Sequence, residues 1–141
     1  MIGVTLKLWN EKPANTSNFK IVTKISDLGS PMSFKSLLGF YINIRQEQRY
    51  TEQSKAHHDL NVYFRQQVSQ QWTSLAIFAG KPNGYQPANM YFESILKSPI
   101  KGVRNVQIRI EGTVKGKFSL NDFGLLYRTY REISAQEHNE D

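Results

Sequence analysis

The sequence has no cysteine, which excludes a disulfide framework, a thiolate zinc site, a cysteine nucleophile and thiol redox chemistry. It has no run of about 18 apolar residues. Its first residues, Met1-Ile2-Gly3-Val4-Thr5-Leu6-Lys7-Leu8-Trp9, lack a basic n-region and a small-residue cleavage site. The expected protein therefore neither spans a membrane nor carries a secretory leader, and the missing thiols suit a reducing compartment. Catalytic signatures are missing as well: there is no Gly-x-Ser-x-Gly elbow, phosphate-binding loop, Gly-x-Gly-x-x-Gly fingerprint or His-Glu-x-x-His pair. Histidine is scarce, and the one dense group, His57-His58-Asp59, puts neighbouring imidazoles on opposite faces of an extended chain, so they do not readily share a metal. The reading is a protein that is not an enzyme, with no cofactor and no metal site.

Acids are the scarcer charge, 12 against 18 Lys and Arg in 141 residues. Four of them, Glu132, Glu137, Glu140 and Asp141, lie after the last base, Arg131, so residues 1–131 carry 18 bases and eight acids, a balance of +10. Such a body attracts phosphate, acidic glycans or an acidic partner surface. The eight body acids fall mostly at expected turns and loops, which disfavours a facing carboxylate pair. Residues 132–141 read as an acidic, flexible C-terminal tail.

What the sequence does have is alternation with period two. Phe19, Ile21, Thr23 and Ile25 share one side of a strand that Asp27-Leu28-Gly29-Ser30-Pro31 ends; Leu38, Phe40, Ile42 and Ile44 share the buried face of a second. Gln46 to His58 reads as a long exposed connection, Leu60, Val62 and Phe64 as a third strand, and Gln66 to Gln71 as a polar turn ending at Trp72. Ser74 to Ala79 is apolar on both faces, the pattern of a central strand. Gly80 to Pro87 is a second long loop, and Met90 to Leu96 fits a strand or a helical turn. After Ser98-Pro99, Val106, Ile108 and Ile110 alternate up to Lys115-Gly116, a two-residue hairpin turn that returns through Phe118 and Leu120. A last strand covers Phe123 to Tyr130, and Val4, Leu6 and Leu8 mark an N-terminal strand that closes this sandwich or is donated to a neighbour. Seven to nine short strands predict an all-β fold, a β-sandwich or jelly-roll-like single domain over residues 1–131, with an OB-like barrel as the alternative.

Two binding chemistries are visible on this frame. Arg45, Arg49, Arg65, Arg104, Arg109, Arg128 and Arg131 fall largely on outward positions among Tyr41, Tyr50, Tyr63 and Tyr130, the mixture that single-stranded nucleic-acid platforms use. Protein interfaces enrich the same residues. Trp72 and Tyr85, beside loops, are candidates to stack on a sugar ring in a carbohydrate-binding module.

The strings Lys101-Gly102-Val103-Arg104-Asn105-Val106-Gln107-Ile108-Arg109-Ile110-Glu111-Gly112 and Phe118-Ser119-Leu120-Asn121-Asp122-Phe123-Gly124-Leu125-Leu126-Tyr127-Arg128 resemble the closing strands of β-sandwich modules in podovirus-like tailed-bacteriophage virion proteins. The resemblance spans residues 101–128 and implies that the two strings pair. It also implies a non-enzymatic structural subunit, present in several copies at the tail, head-to-tail connector or capsid, in contact with other virion proteins and assembled in the host bacterial cytoplasm. Arg104, Arg109, Asp122, Tyr127 and Arg128 would then be structural, a cross-strand ladder of charge pairs. The two long loops would be the assembly contacts.

Overall fold

Apolar residues at every second position make strands that hide one face, and two such sheets must close on each other. The computed structural model describes residues 6–8, 16–46, 57–80 and 88–130. Its strands are β1 (Leu6–Leu8), β2 (Thr16–Val22), β3 (Phe34–Gln46), β4 (His57–Arg65), β5 (Thr73–Gly80), β6 (Ala88–Val103), β7 (Gln107–Lys115) and β8 (Phe118–Tyr130). They form two antiparallel four-stranded sheets, in the orders β1-β8-β3-β6 and β2-β7-β4-β5. Strand pairing is nested, β1 with β8, β2 with β7, β3 with β6 and β4 with β5. Each link except β4 to β5 crosses from one sheet to the other. This is an eight-stranded jelly roll, so the sandwich expectation holds and the five-stranded barrel does not describe the connectivity. No helix occurs among the described residues, hence none long and apolar enough to cross a membrane.

The core lies between the sheets. Phe40, Ile42 and Ile44 of β3 and Phe118, Leu120 and Phe123 of β8 meet Leu60, Val62 and Phe64 of β4 and Ile108 and Ile110 of β7, all buried. Each fully buried side chain of this size contributes about 1.5–3 kcal/mol relative to exposure. Phe40 links both layers, with ring centroids 5.8 Å from Phe123 and 6.2 Å from Phe78 of β5.

Several local expectations are corrected. Ser74 to Ala79 is not central: β5 is an edge strand, and its outward face carries Ile77, 64% exposed. Lys115-Gly116 does not close a hairpin, because β7 and β8 belong to different sheets. Gly116, at φ 92°, a value that L side chains rarely adopt, turns the chain from one layer to the other. The two strings of the phage resemblance are therefore not paired; β7 lies between β2 and β4, and β8 between β1 and β3. Phe118 to Tyr130 is one strand, with Asn121 as an extra residue where the register passes from Asn43–Asp122 to Ile44–Leu120. Met90 to Leu96 is strand, and β6 continues through Ser98-Pro99. That is possible because β6 is an edge, where proline need not donate to a ladder.

Gln46 ends β3 and His57-His58 opens β4, so the polar connection is shorter than expected at both ends, and Gln46 and His58 are buried. Gly80 likewise belongs to β5. Leu6–Leu8 pair with this chain's own β8, through Leu6–Leu120 to Leu8–Phe118. Residues 47–56 and 81–87 of the two expected loops, and the expected tail at 132–141, lie outside the described residues.

Candidate functional site

On the outward face of the β2-β7-β4-β5 sheet, register places Tyr63 beside Arg109 and Arg65 beside Gln107. The tight turn after β4, closed by Gln70 N–H donating to the Gln67 carbonyl at 3.0 Å, brings Trp72 back over this row. The Arg65 guanidinium carbon sits 4.1 Å from the Trp72 ring centre, and that of Arg109 sits 4.8 Å from Trp72 and 4.3 Å from Tyr63. Contacts of this kind contribute about 0.5–2 kcal/mol each, according to desolvation. Arg65 Nε donates to Gln107 Oε1 at 2.7 Å, and Gln107 Nε2 to the Thr23 carbonyl at 2.9 Å, which ties the row to the chain leaving β2. Arg109 Nε lies 3.5 Å from Glu111 Oε2, an ion-pair distance without a hydrogen bond. Two guanidinium groups thus stand in a fixed aromatic frame with one carboxylate, a surface suited to an anion. The Trp72 ring is occupied by arginine, so it is not an open platform for a sugar.

Of the residues expected to bind, Arg65, Trp72 and Arg109 converge here. Arg45 and Arg128 lie at opposite ends of the other sheet, opposite Ser119 and Ser36. Arg45 Nη1 donates to Asn89 Oδ1 at 3.0 Å. Arg128 lines an open depression with Ser36, Lys101 and Tyr130. Arg104, in the β6–β7 link, covers the Phe34 ring at 4.6 Å. Arg49, Tyr50, Tyr85 and Arg131 lie outside the described residues.

The implied ladder of charge pairs is not formed: Asp122 stands opposite Asn43, Arg128 opposite Ser36, and Arg109 between Val22 and Tyr63. Asp122 instead accepts a hydrogen bond from the Tyr41 hydroxyl at 3.2 Å, and Tyr127 packs against the core. Burial, followed by the Asp122 charge, raises the Tyr41 pKa.

Two buried polar groups escape a reading based on motifs. Lys35 is fully buried, its Nζ donating to the Ser30 carbonyl at 2.6 Å and the Arg104 carbonyl at 2.8 Å. Burial lowers its pKa, against the raising effect of Asp27. His58 is also enclosed, with Nδ1 3.1 Å from Gln46 Oε1 and its ring 5.5 Å from that of Phe92. Its Nε2 and Gln46 Nε2 have no hydrogen-bond partner among the described residues. Burial, reinforced by the neighbouring His57 and opposed by Asp59, pulls the His58 pKa down to about 4. No group of three His, Asp or Glu able to hold a metal occurs among the described residues.

No model of a known protein family matches this chain, and no curated protein sequence does.

Proposed function

We propose that the chain is a non-enzymatic structural subunit that assembles in several copies through sheet edges and loops. On the resemblance of residues 101–128, the assembly is a tailed-phage particle, at its tail, connector or capsid, with other virion proteins as neighbours. The observation that carries the reading is the pair of edge strands β5 and β6, each with one strand partner among the described residues. They lie one over the other, with the Phe78 and Phe92 rings 6.2 Å apart, and each carries an exposed isoleucine, Ile77 at 64% and Ile95 at 63%. An open strand edge offers unpaired N–H and C=O groups to another chain. Capsid subunits are among the proteins that use the jelly roll, an analogy of fold alone. Native mass spectrometry is expected to give a multiple of the 16.3 kDa chain, with closed rings in negative stain. The double variant Ile77→Lys/Ile95→Lys is expected to fall to the single-chain mass with an unchanged circular dichroism spectrum. A single-chain mass for the wild type at every concentration, or a variant as large as the wild type, overturns the reading.

The Arg65 and Arg109 guanidinium groups, held by Trp72 and Tyr63, support a second reading, contact with the phosphate backbone of single-stranded nucleic acid without base stacking on those rings. Two guanidinium–phosphate contacts predict that the logarithm of the association constant falls with the logarithm of salt concentration at a slope of about −1.4, lost in Arg65→Ala/Arg109→Ala. Fluorescence anisotropy of a labelled oligonucleotide measures both; no binding at low salt ends this reading.

A further inference from the structure

The opposite face of the sandwich has a different chemistry. On the outward side of the β1-β8-β3-β6 sheet, register sets Asn43 of β3 between Asp122 of β8 and Tyr91 of β6. One row along, Asn89 of β6 stands opposite Arg45. The extra residue in β8 brings Asn121 to the same rim as Asp122, and bulges of this kind commonly re-aim side chains beside binding sites. These residues enclose an open depression of about 340 Å³, within the size range of small-ligand sites. We propose that this depression, between Asp122, Asn43 and Tyr91, is a binding site for a neutral saccharide.

The side-chain set selects the ligand. Asn43 presents an amide, which both donates and accepts; Asn89 and Asn121, whose Oδ1 atoms accept from Arg45 at 3.0 Å and from the Ser119 hydroxyl at 2.6 Å, bring amide N–H groups, and Asp122 adds a carboxylate acceptor. Vicinal hydroxyls of a pyranose also donate and accept at each position, so they match amides and a carboxylate held side by side. The apolar C–H face of the same ring needs an aromatic surface, and Tyr91, 53% exposed, supplies one. Asp122 in the lining and Glu93 beside Tyr91 weigh against a phosphate or sulfate, and the Arg45 guanidinium at the same rim is engaged by Asn89 Oδ1 at 3.0 Å. In a chain of net charge +6, this patch is set against anions where the Arg65–Arg109 face is set for them.

The platform is also held in place before any ligand arrives. Tyr91 donates its hydroxyl to Glu93 Oε1 at 2.5 Å, and its ring stacks on Tyr41 with centroids 5.9 Å apart and planes 28° from parallel. Tyr41 lies flat because position 124 is glycine: a Cβ there would come within 2.6 Å of the Tyr41 ring. The Tyr41 hydroxyl then donates to Asp122, which orients the carboxylate at the rim. One contact chain, Glu93–Tyr91–Tyr41–Asp122, thus fixes the stacking surface and the acceptor together. A ligand meeting such a site does not have to order the side chains that hold it.

The test is a titration of the isotope-labelled full chain with neutral oligosaccharides of glucose, mannose and N-acetylglucosamine, followed by amide NMR, with a heparin fragment as the anionic comparison. At least one neutral oligosaccharide is expected to shift the amides of Asn43, Asn89, Tyr91, Asn121 and Asp122, saturably and independently of salt. Tyr91→Ala is expected to weaken that binding by about tenfold or more, while Tyr91→Trp keeps it. The same spectra show whether each variant is folded. Shifts confined to the Trp72 face, preference for the heparin fragment, equal binding by Tyr91→Ala, or no response to any neutral oligosaccharide overturns the proposal. None of these readouts depends on Ile77 or Ile95, so this site and the assembly reading fail separately.

Discussion

Lys35→Met is expected to destabilise the chain by about 2–4 kcal/mol, read as a lower urea midpoint with an unchanged slope. Methionine keeps the length and removes the charge, but it cannot donate. The Ser30 and Arg104 carbonyls, which the ammonium satisfies at 2.6 and 2.8 Å, would be left without it. Each carbonyl loses a charge-assisted hydrogen bond, worth about 1.5–3 kcal/mol; the Ser30 carbonyl keeps the Ser33 N–H at 3.3 Å, Arg104 is exposed, and relief of the buried charge offsets part of the sum. The loss is also local in a characteristic way. The two carbonyls belong to the β2–β3 and β6–β7 connections, which Lys35 ties together from the start of β3. Amide exchange is therefore expected to quicken first around residues 26–33 and 104–106. A variant as stable as the wild type would show that the ammonium holds neither connection.

Acid is expected to weaken the fold through His58. Its ordinary value of 6.5 falls to about 4 in the folded chain, so above neutral pH both states are uncharged there and the group has no effect on stability. As pH drops below 6.5 the unfolded chain takes up a proton that the folded chain refuses until about 4. Stability therefore declines across that window, by about 3 kcal/mol at the bottom, and this contribution then levels off. Urea unfolding from pH 8 to pH 4 measures the decline, and carboxylates add to it only towards the acid end. The double variant Gln46→Leu/His58→Leu removes both buried polar partners at once and is expected to remove this component of the slope. An unchanged slope in the double variant would assign the pH dependence to other groups.

Much of the frame was legible because alternation reports which way a side chain points. Phe40, Ile42 and Ile44 face inward, as do Leu60, Val62 and Phe64. The same phase, carried one step further, reaches Gln46 after Ile44 and His58 before Leu60, so the buried polar pair was present in the pattern. It was hidden because polar residues beside a polar loop read as part of the loop. Lys35 was harder to find, since register shifts between Lys35 and Gly39 interrupt the phase that Phe40 establishes. Partner choice was not legible at all: period two fixes a face and leaves the neighbouring strand open. That is why Lys115-Gly116 resembled a hairpin and why β5, with apolar residues on both faces, resembled a central strand. The Arg65–Trp72–Arg109 group could be named by residue type, yet its assembly depends on the β4–β7 register and on the turn before Trp72. The amide-lined depression on the other sheet had only one trace in the sequence, the break in alternation at Asn121-Asp122.

The nested pairing of strands bears on how the chain reaches this state. Only β4 and β5 are neighbours in both sequence and sheet, so the contacts with the smallest loop-closure cost lie in the middle of the chain. The remaining pairs join progressively more distant segments, until Leu6–Leu8 meets Phe118–Leu120. High average sequence separation slows folding, because the entropy of closing each loop is lost before its contacts form. A polypeptide emerging from the ribosome amino end first holds β1 and β2 without partners until β7 and β8 have been made. The strands synthesised earliest are thus among the last to be paired, and the fold completes only after nearly all of the described sequence exists.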